Sequence, residues 1–303
     1  MAEGRQRDDA MQEFLTTREV AALLRVKQRK IYELVAARAI PVSRVTGKLL
    51  FPRALVEAWV QRHVDYGADV EALRVLPPVV AGSHDPLLEW AIRESGCGLA
   101  SYFDGSLDGL ERVAAGNALG AGMHVFEPAN EDFNREHVGA RLAGMPVVLI
   151  ELFRRSQGLV VPPGNPRGIA ALRDVAGLRF AQRQGDSGSF VLLGHLLARA
   201  GMREEQLHLL ATPARSQADV ALAVAEGLAD AGLAIQSAAR LYRLDFVPLF
   251  QERYDLLAWR REYLEPPLQT LMAFCRGDAF RARAASLSGY DVSALGQVIY
   301  NGA

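Results

Sequence analysis

Apolar positions between residues 14 and 62 change their period twice. Val20, Leu23 and Leu24 fall on one helical face, and Ile31, Leu34 and Val35 do the same within residues 27–37. Arg25 and Val26 break the pattern between them. Thr16-Thr17-Arg18-Glu19 fits a capping box ahead of the first helix, with Leu15 and Val20 spaced for a hydrophobic staple. Two short helices joined by a tight turn predict a helix-turn-helix whose second helix enters the major groove. Residues 40–42 and 49–51 are β-prone runs flanking a turn at 43–48, which predicts a hairpin wing. Pro52 is expected to open a closing helix over 53–60, where its missing amide costs nothing.

From residue 79 onward short apolar runs alternate with helical stripes. Strands are predicted at 79–81, 98–103, 123–126, 146–152, 178–182, 207–210 and 231–235. Helices are predicted at 86–94, 107–115, 190–200 and 217–226. Alternating βα units imply an α/β domain, a parallel sheet covered by helices. Over some 220 residues this is more than one open sheet, so two lobes are expected. Pro162-Pro163-Gly164-Asn165-Pro166 is a breaker at which the chain settles into the second lobe, and the strand-like run 247–258 carries it back. Two crossings describe a hinged clamshell. The organisation read from the chain is a disordered lead (1–13), a DNA-binding winged helix-turn-helix (14–62), a connector (63–78) and a ligand-sensing domain (79–303).

Charge sharpens the division. Residues 14–62 hold ten basic and three acidic side chains, a net of +7 in a chain whose net charge is −1. That asymmetry is the footprint of a nucleic-acid module on an acidic carrier. Two cysteines, Cys97 and Cys275, argue against a disulfide framework and fit a reducing cytosol. The polar start has no signal-peptide core, and no apolar run has the length of a bilayer span. A cytoplasmic protein without a membrane partner is expected. Residues 63–78 carry a weak helical pattern in Val70, Leu73 and Leu76, closed by Pro77-Pro78.

Candidate chemistry gathers at strand-to-helix turns. These are Gly82-Ser83-His84-Asp85-Pro86, Asp104-Gly105-Ser106 and Gln184-Gly185-Asp186-Ser187-Gly188-Ser189. Small residues let a ligand approach backbone amides, and a helix N-terminus offers free donors to an anion. Ser83, Ser106, Ser187 and Ser189 are therefore candidate ligand-binding residues, though capping alone would also explain a serine or aspartate there. Arg183 could neutralise an anion or pair with Asp186. His84 and His124 lie near strand ends facing the expected cleft. No His/Cys/Asp/Glu cluster has metal-ligand spacing. No nucleophile, base and orienter stand out, since Gly185-Asp186-Ser187-Gly188 lacks the G-x-S-x-G spacing, and no Gly-rich turn has a P-loop Lys-Ser/Thr pair. Neither an enzyme nor a cofactor is expected.

Two resemblances follow. Leu15-Thr16, Glu19-Val20-Ala21, Leu23-Leu24, Ile31-Tyr32, Ile40-Pro41 and the Phe51…Trp59 ending resemble the winged helix-turn-helix of the excisionase and MerR type. It departs in the turn, where a Gly and a capping Ser are usual and Arg25 and Lys27 stand here. The resemblance implies a double-stranded DNA operator, with Gln28, Arg29 and Tyr32 toward base edges. Arg44 and Lys48 would meet phosphates, and Lys27 joins the DNA-facing set. The segments GSHDPLL (82–88), DGSLDGLERVAAGNALGAGMHVF (104–126), RRSQGLVVPPGNPRGIAALRDV (154–175) and RQGDSGSFVLLGHLL (183–197) look like the cytoplasmic relatives of periplasmic molybdate- and tungstate-binding proteins. AVAEGLADAGLAI (223–235), FVPLFQERYDLL (246–257) and SGYD (288–291) extend the match. It implies a type II periplasmic-binding-protein-like domain holding an oxyanion on Ser83, Ser106, Ser187 and Ser189, with Tyr254 as a further donor. Phe190 and Gln217 depart from the family, where polar or basic residues and a His are common. The expectation is a homodimeric one-component regulator whose effector is molybdate, tungstate or a related oxyanion. The alternatives are a protein of molybdenum-cofactor metabolism and a regulator sensing a small organic anion.

Overall fold

The structure, a computed structural model, describes residues 13–44, 47–63 and 75–302. The chain divides into two compact units, residues 1–73 and 74–303. Most of the expected lead and connector, including Val70 and Leu73, lies outside the described residues.

The first unit is built on β1 (Phe14–Thr16), α1 (Thr17–Leu23), α2 (Gln28–Ala36), β2 (Leu50–Pro52) and α3 (Arg53–Arg62). Thr16 caps α1 and Glu19 returns to the Thr16 amide at 2.7 Å, closing the capping box. Leu15 and Val20 are both buried, joining Ala21, Ile31, Val35, Ile40, Phe51 and Val56 in one small core. The predicted wing is altered. Residues 40–42 form no strand, and β2 pairs antiparallel with β1 (Leu15 opposite Phe51). Only a Ser43–Leu50 bridge remains of the hairpin, whose Val45 and Thr46 lie outside the described residues. Pro52 ends β2 instead of starting α3: it lies opposite Phe14 in a pair flanked by the Arg53 N–H to Glu13 carbonyl bond, so its missing N–H falls on the side away from β1.

In the second unit the first lobe contains β3 (Val79–Gly82), α4 (Pro86–Glu94), β4 (Ala100–Phe103), α5 (Ser106–Ala114) and β5 (Gly120–Met123). A small hairpin of β6 (Phe126–Glu127) and β7 (Asp132–Phe133) follows, then α6 (Arg135–Arg141). The chain crosses on β8 (Val147–Val161). The second lobe holds β9 (Arg179–Ala181), α7 (Gly188–Arg199), β10 (His208–Leu209), α8 (Gln217–Ala225), β11 (Ala231–Ile235) and α9 (Gln236–Leu241). It returns on β12 (Asp245–Trp259). Next come α10 (Arg260–Leu264), α11 (Pro266–Cys275), α12 (Asp278–Leu287), β13 (Tyr290–Asp291) and β14 (Val298–Asn301), the last two pairing with β8.

Strand order β10-β9-β11-β8-β12-β5-β3-β4 makes one curled sheet through both lobes. Within each lobe the short strands run parallel, as the βα alternation requires. The sheet is nevertheless mixed, since β8 and β12 pair antiparallel along 15 residues each. A chain that crosses and comes back has to run in opposite directions on its two trips. Period-two alternation then buries both sheet faces. Val80, Ile150 and Leu256 pack under α4, α11 and α12, whereas their neighbours Ala81, Leu149 and Leu257 pack under α5 and α6. Across the hinge Leu159 and Leu233 meet α7, and Val160 and Ala234 meet α8.

Two strand predictions are corrected at the hinge. The strand predicted at 146–152 runs to Val161, because the polar run Arg154-Arg155-Ser156-Gln157 stays in the ladder against β12. The strand predicted at 123–126 breaks after Met123, where the next two amides leave the sheet for side chains: His124 N–H donates to Ser106 Oγ (3.2 Å) and Val125 N–H to Asn134 Oδ1 (2.6 Å).

The departures noted in the helix-turn-helix turn have structural consequences. Arg25 adopts φ +52°, a left-handed conformation that disfavours a Cβ, and Lys27 caps α2 with no side-chain bond. Replacing Arg25 by Gly should stabilise the first unit by roughly 1 kcal/mol, the steric relief outweighing glycine's chain entropy. Urea unfolding followed through Trp59 fluorescence checks this; an unchanged or lowered midpoint would contradict it.

Candidate functional site

On the helix-turn-helix, α2 turns Ile31 and Val35 inward and leaves Gln28, Arg29 and Tyr32 exposed. Lys27, Arg44 and Lys48 are exposed as well. All six predicted DNA-facing side chains are thus free of the core. Arg29 makes an i,i+4 ion pair with Glu33 at 3.1 Å, and Lys30 approaches the same carboxylate at 3.4 Å. Both pairs are solvent-exposed, so breaking them to meet DNA costs little.

In the second unit the two lobes meet over a buried polar floor laid on β8 and β12. Arg155 and Glu252 stand opposite one another in the ladder, on the same face. The Arg155 guanidinium bonds Glu252 through Nε and Asp85 through Nη1 (2.6 Å). All three groups are buried. Asp85 does two jobs. Oδ1 caps α4, accepting from the amides of Leu87 (2.8 Å) and Leu88 (3.0 Å), and Oδ2 accepts from Arg155 and from Tyr290 (2.7 Å). Gln157, two residues along the same face, donates to Glu252 (3.1 Å) and to Ser189 Oγ (3.1 Å). Because an ionised carboxylate accepts only, this fixes the amide with its nitrogen toward Glu252.

A second branch runs through His124. Its Nε2 lies 2.8 Å from Ser83 Oγ and its Nδ1 3.0 Å from Glu252. The ring stacks on Tyr254, whose hydroxyl donates to the Ser83 carbonyl. Gly122 is needed here, since a Cβ would strike the Tyr254 hydroxyl. Gly188 opens α7 directly over the imidazole, where a Cβ would lie 2.8 Å from Nδ1. Further lobe-to-lobe contacts are Gln184 Nε2 to the Asp104 carbonyl (3.1 Å) and the Arg215–Asp104 ion pair.

Electrostatics separate these groups. Burial pushes His124 below its usual value against the pull of Glu252, so the imidazole is neutral near pH 7. Burial would raise Glu252, but Arg155 and His124 hold it at about 2. Burial raises Tyr254 well above the phenol range. Arg183 differs from Arg155. It is 3% exposed, its Nε donates to Gln184 Oε1 (3.1 Å) and the Ala214 carbonyl (3.2 Å), and it has no carboxylate ion pair among the described residues. Burial, followed by repulsion from Arg155, brings it down to about 10. It remains charged, and its Nη1, like Arg155 Nη2 and Gln157 Oε1, has no partner among the described residues.

The structure brings Ser83, Ser106, His124, Ser189 and Tyr254 around Glu252, with Arg183 buried at the β9–α7 turn. Their hydroxyls are engaged: Ser189 accepts from Gln217 (2.6 Å), and Ser106 accepts the His124 amide. Ser187 is the α7 cap, taking the Phe190 amide at 3.2 Å and donating to the Gln184 carbonyl at 2.7 Å. Its contribution is to aim the first-turn amides of Gly188 and Ser189, which have no intrahelical acceptor. His84 turns away to Glu89 (3.1 Å) and Phe103. Sequence reasoning missed Arg155, Gln157, Glu252 and Tyr290, and it read Asp85 as a cap alone. The available signal was the polar run Arg154-Arg155-Ser156-Gln157 set between apolar stretches. Ser83, His124 and Glu252, from three distant segments, stand at the distances of a nucleophile, base and orienter, a geometry that no local spacing displays. Among the described residues no group of three His, Cys, Asp or Glu could hold a metal.

Comparison with known proteins agrees with this architecture. Residues 89–276 match the family described as PBP superfamily domain, and residues 14–64 match a helix-turn-helix domain. An uncharacterised protein, YvgK, of Bacillus subtilis is 28% identical, over 94% of this chain and 97% of its own. The sulfate-binding protein SubI from Mycobacterium tuberculosis superposes with TM-score 0.51 at 18% identity, over 71% of this chain and 86% of that one. A hydrogen-peroxide-bound OxyR mutant from Corynebacterium glutamicum gives 0.51 at 14% identity, over 90% and 89%. At these identities the two structures share the fold.

Because Arg155 bridges Glu252 and Asp85, and Glu252 also accepts from His124 and Gln157, Glu252→Gln should cost about 3–5 kcal/mol, one member of a buried, hydrogen-bonded charge set being removed. Equilibrium urea unfolding of the second unit measures it. A loss below about 1 kcal/mol, the value of an exposed pair, would contradict the assignment.

Proposed function

Because the chain belongs to the PBP superfamily domain family and carries a helix-turn-helix module ahead of that domain, we propose that it is a DNA-binding regulator whose interlobe cleft senses a small oxyanion, with molybdate and tungstate as the first candidates. The pairing of a helix-turn-helix with a PBP-like domain fits a regulator with a small-molecule sensor. The observation that carries the anion reading is Arg183, a buried cation with no carboxylate ion pair among the described residues. Beside it the α7 N-terminus aims free amides into the same region, and Ser83, Ser106 and Ser189 add hydroxyl donors from both lobes. The oxyanion is an effector, and the chain needs no cofactor or catalysis for this role. Molybdate and tungstate are too alike in size and charge for these residue types to separate.

Donors drawn from both lobes favour the closed clamshell, so the ligand shifts the population toward it by its differential affinity. One recognition helix reads a few base pairs, which calls for a homodimer on an inverted repeat. An operator on the chromosome places the protein in the cytoplasm.

One observation favours a second reading. The Ser83–His124–Glu252 relay has the distances of a serine hydrolase triad. Against it, Ser83 is fully buried and Glu252 is shared with Arg155 and Gln157. A fluorophosphonate probe that labels Ser83 in the wild-type protein would support hydrolysis.

The regulator reading is tested by gel shift on DNA upstream of the protein's own coding region, with and without molybdate or tungstate. A ligand-dependent change in operator affinity is expected. Arg29→Ala should cost roughly 1–3 kcal/mol and relax specificity at one position. Lys48→Ala should weaken all sequences alike and lower the salt slope by about one. Binding that is indifferent to both substitutions would sink the DNA assignment; binding indifferent to every anion would sink the sensor.

A further inference from the structure

The charges buried around His124 balance before any ligand arrives. From β12 comes Glu252, from the β3–α4 turn Asp85, from β8 Arg155, and from the β9–α7 turn Arg183. Two carboxylates face two guanidiniums. The other groups packed on the imidazole are uncharged: Ser83 on Nε2, Ser106 on the backbone amide, Tyr254 against the ring face and Gly188 over the ring edge. A dianion entering this neutral set would leave two negative charges buried without compensation, which is strongly unfavourable.

One group here can answer that charge. Asp85 is locked by Arg155, Tyr290 and two amides, and Glu252 is already ionised. His124 is neutral, donates from Nδ1 to Glu252 and accepts at Nε2 from Ser83. If Ser83 turns its hydroxyl hydrogen to the ligand, Nε2 loses its donor. A proton taken from solvent restores the bond in the opposite sense, with N–H donating to Ser83 Oγ. The serine then accepts from His124 and donates to the anion, and the imidazolium sits against Glu252.

Resting on the oxyanion reading, we infer that the cleft takes a doubly charged anion together with one proton, that His124 holds this proton, and that Ser83 passes its effect to the ligand. His124 is thereby the residue that sets which charge state of ligand the sensor favours. Net burial falls from two negative charges to one, so the site works as a receptor for the protonated equivalent of the anion.

The test is titration calorimetry of the full chain with sodium molybdate at pH 8, where molybdate is a dianion, in buffers of differing ionisation enthalpy. The dependence of measured heat on buffer enthalpy should report uptake of about one proton per ligand. Affinity should also fall, approaching tenfold per pH unit, between pH 8 and pH 9. His124→Gln keeps amide hydrogen-bonding capacity but cannot be protonated. It should bind with no proton uptake and at least about tenfold more weakly, with far-UV circular dichroism unchanged to show that it folds. Binding by wild type with no uptake and a flat pH profile overturns the inference while leaving the oxyanion reading standing. Uptake that persists in His124→Gln overturns the choice of residue. Absence of any heat with molybdate or tungstate overturns the reading and the inference together.

Discussion

The structure depends on a single guanidinium. Arg155 sits at the middle of the first crossing strand, fully buried, and joins a carboxylate from the return strand to one at the start of α4. Without it Glu252 and Asp85 would be uncompensated charges in an interior, a state that proteins avoid by shifting ionisation or unfolding. With it the hinge becomes a fixed polar floor. An apolar floor of the same shape could be equally stable, so the network does not explain why the fold holds. It gives the cleft aimed donors and acceptors whose orientation is set before a ligand binds.

From that floor the remaining parts acquire their roles. Gln157 is oriented by Glu252, Ser189 by Gln157 and Gln217, and His124 by Glu252 and Ser83. Each side chain is held by another that is itself held, which keeps the cleft's geometry narrow. Arg183 is the exception. It makes no carboxylate ion pair among the described residues and its Nη1 has no partner there, so a buried cationic donor stands open to an anion. Gly188 allows α7 to close over His124, bringing the positive end of a 12-residue helix to the same place.

Where a feature is local, the sequence displayed it. The Thr16–Glu19 box, the Leu15–Val20 staple and the α2 stripe are each completed within a few residues, and each forms as read. The two-lobed α/β layout followed from alternating apolar runs and a proline-rich breaker. The serines at turns were visible because small and hydroxylated residues preceded helical stripes. What stayed hidden were partners set by the fold alone. Arg155 and Glu252 are 97 residues apart, and His124 and Glu252 are 128 apart. Arg154-Arg155-Ser156-Gln157 interrupted the apolar pattern, so β8 was expected to end at 152, although its polar side chains are paid for across the ladder. The strand break at His124 likewise depends on Ser106 and Asn134, whose approach no local pattern announces.

The central claim is that the cleft is an anion site anchored by Arg183. Titration calorimetry of molybdate and tungstate into wild-type protein and into Arg183→Gln tests it most directly. Saturable binding by the wild type is expected, with at least about tenfold lower affinity in the variant, since a charge-assisted contact is lost from a desolvated site. Equal affinity in the two proteins, or no saturable binding of either anion by the wild type, would contradict it.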